Sequence, residues 1–392
     1  MKKVLVFADY YWPGYKSGAL RTVVNMVDRL GDRIEFYVIT RNHDGGDPTP
    51  YTSVTANAWN QAGKARVYYA EPDKLTRGLI RQLVTEVKPD AVYLNSCFAG
   101  MSVKFLTLRR LGQIPKIPVV LAPEAELMPS NLRLKGGKKR LYCAVAFPLG
   151  IYRNLIWKAA SEPEIDDIRN LVGADSDVHL APNMPPKTIL PDYRSSDKPE
   201  KRSGQVRLVF VSRIMDKKNL TFALRLLREI KGEVVFDIYG PLEEPAYWAE
   251  CEALIRQLPA NVTAQYCGSV VHEEVAPTFS RYHYFVLPTL GENFGHVIIE
   301  SLAAGTPVLI SDRTPWRDLT AQRIGWDMAL EDEALWVATL QRCVDMDGAE
   351  FTEWAAAARE YALNWLASPE LERSNFAVLQ HALNGGANAV AK

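Results

Sequence analysis

Short runs of apolar and β-branched residues alternate with amphipathic segments along the first half of the chain. Six of these runs predict strands and two amphipathic segments predict helices. The predicted strands are Val4–Ala8, Ile34–Thr40, Ala65–Ala70, Ala91–Asn95, Pro118–Ala122 and Val178–Pro182, and the predicted helices are Ala19–Leu30 and Leu75–Val87. Continuous apolar strands separated by helices are typical of a parallel sheet that is covered on both faces.

The alternation stops between residues 184 and 205, a stretch rich in Pro, Ser and charged residues, and then starts again. The second half predicts strands at Val206–Ser212, Val234–Tyr239, Val262–Cys267, Tyr284–Pro288 and Pro307–Ser311. It predicts helices at Asn219–Ile230, Ala246–Leu258, Asn293–Ala304 and Glu331–Val344, and two more over Phe351–Leu383 with a break near Ser368–Pro369.

This organisation predicts two doubly wound α/β domains. The first spans residues 1–190, a linker spans 191–205, the second domain spans 206–365, and a helical tail over 366–392 returns to the first domain. Ligands of such sheets bind at the carboxyl ends of the strands. We therefore expect a binding cleft where the two domains face each other.

Composition narrows the functional classes. The 392 residues are 47% hydrophobic and 23% charged, and 46 basic residues balance 46 acidic ones. A neutral chain argues against a general nucleic-acid binder, and no apolar run is as long as a membrane span. The five widely spaced cysteines contain no CxxC pair, which argues against a disulfide framework or a zinc site. We expect a reduced, cytoplasmic protein, and we interpret His43, His179, His272, His283 and His381 as structural.

The most informative segment is LPTLGENFGHVIIESLAAGTP, residues 287–307. A strand ends at Pro288, and a loop containing Glu292 leads into the helix predicted from Asn293. The amides of Asn293, Phe294, Gly295 and His296 would then lie at a helix N-terminus, where anions bind favourably. Glu300 follows Glu292 by eight residues. The alternative is that neither residue has a function: Glu292 would cap the helix, and Glu300 would be an exposed acidic residue on it.

Two further loops follow predicted strands. Arg213, Lys217 and Lys218 come after the strand that ends at Ser212, and such cations suit a diphosphate unless they form only a solvated basic turn. Gly14 and Gly18 lie in the loop after the first strand. This loop has neither the GxGxxG nor the GxxxxGK[ST] pattern, which argues against a dinucleotide fingerprint and a P-loop.

Taken together, these segments resemble the retaining nucleotide-sugar glycosyltransferases of family four, which have the GT-B fold of two facing Rossmann-like domains. Glu292 and Glu300 match the family's Glu-x7-Glu pattern, and Arg213 with Lys218 matches its Arg and Lys. The loop Tyr15–Gly18 matches the family's glycine-containing loop, and Gly305–Val308 matches its Gly-Thr-Pro-Val segment. The resemblance covers most of the chain and is more specific in the second half.

The resemblance implies a role for each matched residue. Arg213 and Lys218 would neutralise the diphosphate of a UDP- or GDP-sugar, Glu292 would bind donor-sugar hydroxyls, and Glu300 would bind the ribose. Asn293 and the amides of Phe294, Gly295 and His296 would line the donor, and the Gly18 backbone would touch the diphosphate. It implies transfer with retention to a glycan or lipid-linked acceptor, and neither a metal nor another cofactor is expected.

The chain departs from the family pattern after the fifth predicted strand of the first domain. Many relatives carry a His there, whereas this chain has Glu124 and Glu126. A carboxylate at this position would bind a sugar hydroxyl or act as a base, so Glu126 is a candidate catalytic residue; the alternative is a loop acid without a role. Lys16, Asn95, Ser96 and Glu124 are candidate acceptor-side residues.

Residues 130–160 contain basic and aromatic residues and no acid. The basic residues are Arg133, Lys135, Lys138, Lys139, Arg140, Arg153 and Lys158. This segment predicts one of three things: contact with an anionic membrane at its inner face, binding of acceptor phosphates, or a solvated helix with its apolar face in the core. For the protein as a whole, two alternative functions remain: a nicotinamide-dependent oxidoreductase and a catalytically inactive sugar-nucleotide-binding protein.

Overall fold

The computed structural model describes residues 1–14, 18–128, 131, 136–190, 192–194 and 198–386. The chain divides into two compact units. Unit 1 comprises Met1–Lys187 and Ser368–Lys392, and unit 2 comprises Thr188–Ala367.

The segment proposed as a linker over 191–205 belongs to unit 2, because that unit begins at Thr188. Lys198 gives the physical reason. Its ammonium group donates hydrogen bonds to the carbonyl oxygens of Phe279 at 3.2 Å and Tyr282 at 2.9 Å, and it also contacts the Thr306 hydroxyl. Burial lowers the pKa of Lys198. This lysine therefore ties the segment to the body of unit 2.

Unit 1 is built on an eight-stranded sheet in the order β3-β4-β2-β1-β5-β6-β7-β8. The pairing is parallel except between β3 and β4, which are antiparallel. The strands are β1 (Lys2–Phe7), β2 (Ile34–Arg41), β3 (Trp59–Ala62), β4 (Ala65–Ala70), β5 (Ala91–Asn95), β6 (Val119–Ala122), β7 (Ile156–Ala159) and β8 (Asp177–Leu180).

The helices of unit 1 include the returning tail. They are α1 (Gly18–Leu30), α2 (Arg77–Val87), α3 (Gly100–Arg110), α4 (Gly136–Ala146), α5 (Glu162–Val172) and, from the end of the chain, α12 (Pro369–Leu383). The Asn375 amide on α12 donates to the carbonyl of Pro182 at 2.8 Å, and Glu372 pairs with Arg29 of α1 at 3.1 Å. The C-terminal helix thus packs on unit 1, as the sequence predicts.

Unit 2 has a fully parallel six-stranded sheet in the order β11-β10-β9-β12-β13-β14. Its strands are β9 (Gln205–Val211), β10 (Glu233–Tyr239), β11 (Val262–Tyr266), β12 (Tyr284–Leu287), β13 (Val308–Ser311) and β14 (Gly325–Met328). Its helices are α6 (Leu220–Leu226), α7 (Pro245–Ile255), α8 (His272–Ser280), α9 (His296–Ala303), α10 (Glu333–Asp345) and α11 (Gly348–Ala367).

The central strands of each sheet are buried on both faces, which explains their continuous apolar runs. Every residue of β5, β6, β12 and β13 is buried. Three strands lack this signal and were not predicted: β3, β7 and β14. Strand β7 contains Lys158, which is 3% exposed. The interpretation of this lysine as part of a solvated helix or of a membrane surface is therefore wrong.

Candidate functional site

In unit 2 the sheet order reverses between β9 and β12. Strand β9 pairs with β10 on one side and with β12 on the other, and all three strands are parallel. The chain leaves the carboxyl ends of β9 and β12 in opposite directions, and ligands of open α/β sheets bind at such a point of reversal. The loops after β9 and β12 are the ones that carry the candidate donor residues.

The two loops are held together by backbone hydrogen bonds. The carbonyl of Lys217 accepts from the amide of Leu290 at 2.9 Å and from the hydroxyl of Thr289 at 3.2 Å. Asp216–Lys218 form a short 3₁₀ turn that ends at Asn219, whose φ of 57° is left-handed. Asparagine tolerates this conformation better than most residues. The turn directs Lys218 into the unit, where it is 8% exposed.

Lys218 and Glu292 form an ion pair. The ammonium group of Lys218 contacts Glu292 Oε1, and the two side chains are only 10% and 12% exposed. Two opposite charges that are this buried must compensate each other. Glu292 is therefore not a helix cap. The structure brings together two predicted donor-site residues that lie 74 positions apart.

Arg213 has a different acidic partner. Its guanidinium group pairs with Glu243, in the loop after β10, at 3.1 Å. The two side chains are 47% and 37% exposed, so solvent screens this pair and it contributes little to stability. Arg213 is consequently available to a ligand at low energetic cost.

Helix α9 begins three residues later than the sequence predicted, at His296. Gly295 precedes it with a left-handed φ of 78°, and a Cβ at this position would lie 2.8 Å from Ile298 Cδ1. Phe294 is buried and packs against Trp316 with ring centroids 5.4 Å apart. Asn293 and Phe294 thus belong to the loop, and only the His296 amide of the predicted set is helical.

Glu300 is buried within α9, at 5% exposure. Its Oε1 lies 3.8 Å from Nδ1 of His272, the first residue of α8. The alternative that Glu300 is an exposed helix acid is therefore wrong. The His272 contact was not predicted, because the two residues lie on different helices and no motif links them.

In unit 1, Glu126 organises the loop after β5. Its carboxylate accepts hydrogen bonds from the Ser96 hydroxyl at 2.9 Å and from the amides of Cys97 at 2.7 Å and Phe98 at 3.2 Å. Burial raises the pKa of Glu126, and these three donors act in the opposite direction. The contacts give Glu126 and Ser96 a structural role, while a catalytic role for Glu126 stays a prediction.

A second buried polar network lies after β6, β7 and β8. Glu124 Oε2 accepts from the amide of Asn183 at 2.7 Å, and Asn183 Oδ1 accepts from the ammonium of Lys158 at 2.8 Å. Glu164 accepts from the backbone amides of Ala125 at 2.6 Å and Ala160 at 2.7 Å. Burial, and next the charge of Glu124, raises the pKa of Glu164 to about 7.

The remaining predictions for residues of unit 1 have mixed outcomes. Asn95 is the buried last residue of β5, so it lies at the same edge of the sheet as Ser96. Gly18 is the first residue of α1. Lys16 lies outside the described residues. Sequence reasoning missed Glu164 and Asn183 and placed Lys158 in a basic segment, since nothing in their spacing indicates a shared buried network.

Among the described residues of the segment 130–160, α4 and its continuation present an apolar face, whereas Arg133 and Lys135 lie outside the described residues. Leu141, Val145 and Leu149 recur at a spacing of four residues and are 68%, 52% and 58% exposed. Arg110 and Arg153 are exposed beside them, and the Arg110 Nε donates to the carbonyl of Leu149 at 2.7 Å. We call these five residues the apolar–basic patch. The aromatic residues Tyr152 and Trp157 are buried instead.

Part of the chain matches a known protein family, and a longer part is similar to a bacterial protein. Residues 193–336 match the family described as "Glycosyl transferases group 1", and this range contains both loops and α9. The match supports a group 1 glycosyltransferase. An uncharacterised 41.2 kDa protein in the cps region of Klebsiella pneumoniae is 22% identical over 246 residues. The alignment covers 57% of this chain and 61% of that protein, so the chain spans less than two thirds of its relative.

Solved structures similar to the whole chain show the fold. Sucrose-phosphate synthase from Thermosynechococcus elongatus has a TM-score of 0.71 at 17% identity, covering 98% of this chain and 100% of that one. Anabaena HepE in complex with UDP and glucose has a TM-score of 0.68 at 15% identity, covering 97% and 100%. WaaG, a glycosyltransferase involved in lipopolysaccharide biosynthesis, has a TM-score of 0.64 at 15% identity, covering 96% and 98%. These similarities confirm the GT-B fold.

Proposed function

We propose that this protein is a retaining glycosyltransferase that moves a sugar from a UDP- or GDP-sugar to a glycan or lipid-linked acceptor. The buried Lys218–Glu292 pair is the observation that carries this proposal. It lies at the carboxyl edge of a parallel sheet, where the strand order reverses, inside the range that matches group 1 glycosyltransferases. Ligands of open α/β sheets bind at such points. The UDP bound to Anabaena HepE supports a uridine donor as the first to test.

The diphosphate would take Lys218 and Arg213 as its cationic partners. In the ligand-free geometry both cations already have carboxylate partners, Glu292 and Glu243. The incoming phosphates would replace those carboxylates, which keeps the buried Lys218 compensated throughout. Because negative charge grows on the leaving diphosphate, two positioned cations stabilise the transition state more than the bound donor. In this proposal they supply the charge, and no metal ion takes part.

Glu292 and Glu300 would bind the two sugars of the donor. Release from Lys218 frees the Glu292 carboxylate to accept hydrogen bonds from donor-sugar hydroxyls. Glu300 is held in the interior of unit 2 and would accept from the two ribose hydroxyls. The amides of Phe294, Gly295 and His296 would complete the donor site, with left-handed Gly295 letting the backbone approach the ligand. Retention follows if the leaving phosphate takes the acceptor proton on the same face.

The acceptor would be recognised by unit 1. Asn95 ends β5, and Ser96 and Glu124 follow β5 and β6, so all three lie at the carboxyl edge of that sheet. The apolar–basic patch supports a lipid-linked acceptor, because exposed leucines flanked by arginines suit the surface of an anionic bilayer. None of the helices among the described residues is both long and apolar enough to cross a membrane. The contact that we propose is peripheral, at the cytoplasmic face, in surface polysaccharide or glycoconjugate assembly.

Transfer itself tests the proposal. The purified protein is incubated with UDP-glucose, UDP-N-acetylglucosamine or GDP-mannose and a set of sugar and lipid-linked acceptors, and nucleoside diphosphate release is measured. We expect release with one base class, and an anomeric proton coupling in the product that matches the donor. An inverted product would contradict retention, and the absence of release with every pair would contradict the activity.

Vesicle binding tests the membrane contact separately. We expect the protein to sediment with vesicles that contain anionic lipid and to stay in solution with neutral ones. Leu141→Ser combined with Leu149→Ser should weaken sedimentation by about tenfold, because each leucine loses its apolar contact with the bilayer. Equal sedimentation of the variant and the wild type would contradict the role of the patch.

A further inference from the structure

Two histidines and one aspartate meet at the edge of unit 1. Asp177 and His179 are alternate residues of β8, so their side chains lie on the same face of the strand. His381 belongs to the last turn of α12. Their ligand-type atoms all lie within 4.8 Å of one another. The cluster was not predicted, because His179 and His381 are about 200 positions apart in the sequence. Both histidines were interpreted as structural.

The carboxylate of Asp177 lies between the two imidazoles. Asp177 Oδ1 is 2.7 Å from Nε2 of His179, and Oδ2 is 2.9 Å from Nε2 of His381. The imidazole rings lie 4.9 Å apart. Both histidines therefore direct the same nitrogen atom toward one carboxylate. This convergence is the donor arrangement of a two-histidine, one-carboxylate metal site.

We propose that Asp177, His179 and His381 bind a Zn²⁺ ion. Zn²⁺ binds imidazole nitrogen and carboxylate oxygen at about 2.0–2.2 Å, which in a tetrahedral site separates neighbouring ligands by roughly 3.3 Å. The side chains would move apart by about half an ångström per pair to admit the ion. Each Nε2 gives up its hydrogen-bonding proton, and the neutral imidazole keeps its proton on Nδ1.

The surroundings suit a three-ligand site with one open position. The three side chains are 35–39% exposed, so the ion reaches them from solvent and a water molecule completes its coordination. Helix α12 is already positioned by the hydrogen bond from Asn375 to the Pro182 carbonyl and by the Arg29–Glu372 pair. The ligands are thus held on two anchored elements before the metal binds.

The ion would fasten the returning C-terminal helix to the edge of the sheet. Strand β8 is the last strand of the eight, and α12 reaches unit 1 only after the whole of unit 2. A bond through the metal between His179 and His381 closes this long-range contact. The inference does not depend on the proposed glycosyl transfer, since the site uses none of the residues assigned to that reaction.

Metal titration of the full-length, tag-free protein tests the site. A Cys267→Ser background removes the exposed thiol in unit 2, which would otherwise compete for the ion. After treatment with a chelator, Zn²⁺ affinity is measured by competition with a coloured chelator, and Co²⁺ reports the geometry by its visible absorption. We expect one ion per chain with a Kd below about 10 µM, and a melting temperature of unit 1 that rises by several degrees.

Three variants assign the ligands. His179→Gln, His381→Gln and Asp177→Asn should each weaken Zn²⁺ binding by at least about tenfold, because each removes one of three bonds to the metal. His43→Gln is the matched control, because His43 lies in the same unit and its Nδ1 hydrogen-bonds with the backbone carbonyls of Asp44 at 2.9 Å and Asp47 at 3.0 Å. Circular dichroism of the metal-free variants confirms that they fold. A wild-type Kd weaker than 10 µM, or ligand variants that bind like the control, would overturn the site.

Discussion

Replacing Lys218 by methionine separates its part in ligand binding from its part in stability. Methionine keeps most of the apolar stem and removes the charge, so Glu292 is left without its cation in a position where it is 12% exposed. Removing one partner of a fully buried pair costs about 3–5 kcal/mol, and an exposed pair is worth at most about 1 kcal/mol. For this mostly buried pair we expect a loss of about 2 kcal/mol. In a unit of about 150–250 residues this lowers the melting temperature by roughly 4–8 °C.

The same change should weaken nucleoside diphosphate binding by about 10- to 100-fold, the value of one charge-assisted contact to phosphate. Lys217→Met is the matched control, because the adjacent Lys217 acts on the loop through its carbonyl, which the substitution keeps. The control should bind within about threefold of the wild type.

Combining Lys218→Met with Glu292→Gln completes the test. The second change removes the unpaired carboxylate, so the double variant should regain much of the lost stability without regaining affinity for UDP or GDP. Calorimetric titration gives the Kd, and thermal unfolding gives the stability. An affinity that returns together with the stability would refute the reasoning, since Lys218 would then act only by holding Glu292.

Three other changes probe unit 2. Glu300→Ala should weaken nucleotide binding by about tenfold or more in calorimetry, because it removes a group that binds the ligand. It should lower the free energy of unfolding less than a core deletion such as Leu302→Ala does, because little packing is lost, and equal losses would contradict this role. Burial lowers the pKa of His283 to about 3. Below pH 6.5 the folded state therefore keeps His283 neutral, whereas the unfolded state takes up a proton. The free energy of unfolding, measured with urea, should then fall by up to about 1.4 kcal/mol per pH unit between pH 6.5 and 3, and His283→Asn should lack this slope. Gly240→Ala should lower the free energy of unfolding by more than about 3 kcal/mol, because the new Cβ would lie 1.7 Å from the Ser212 carbonyl oxygen. Gly268→Ala is the control: its Cβ would have no atom within 4 Å, and it should lower the free energy of unfolding by about 1 kcal/mol in the same measurement.

Most buried strands were predicted from the sequence, because their apolar runs stand out from the polar residues that bound them. The predicted strands Ala65–Ala70 and Ala91–Asn95 coincide with β4 and β5 to the residue, because an apolar run bounded by polar residues marks such strands. Strands β3, β7 and β14 were not predicted, because they lack such an apolar run. The sequences of β3 (WNQA) and β14 (GWDM) also show no clear alternation of polar and apolar residues over their length. Strand β7 was hidden by Lys158, whose charge is compensated only in the folded network.

The candidate site was predictable only as far as local motifs reach. Glu292, Glu300, Arg213 and Lys218 stood out because each follows a strand or opens a helix in a recognisable segment. Their partners did not, since pairing is a property of the tertiary structure. Lys218 pairs with Glu292, Arg213 with Glu243, and Glu300 approaches His272.

The start of α9 shows a second limit of sequence reasoning. Asn293 looked like the first residue of the helix, but burial of Phe294 against Trp316 and the left-handed Gly295 delay the start to His296. The packing of Phe294 and the conformation of Gly295 together leave Asn293 and Phe294 outside the helix. A sequence pattern does not contain that contact.

Nucleotide binding is the most direct test of a donor site at the Lys218–Glu292 pair. The melting temperature of the purified protein is measured with UDP, GDP and ADP, with their sugars, and with NAD and NADP. The account predicts that one nucleoside diphosphate and its sugars raise the melting temperature, because only the native state binds them, and that Lys218→Met removes the shift. A shift with NAD or NADP alone would contradict the account and favour an oxidoreductase, and a shift that persists in Lys218→Met would move the donor away from the Lys218–Glu292 pair.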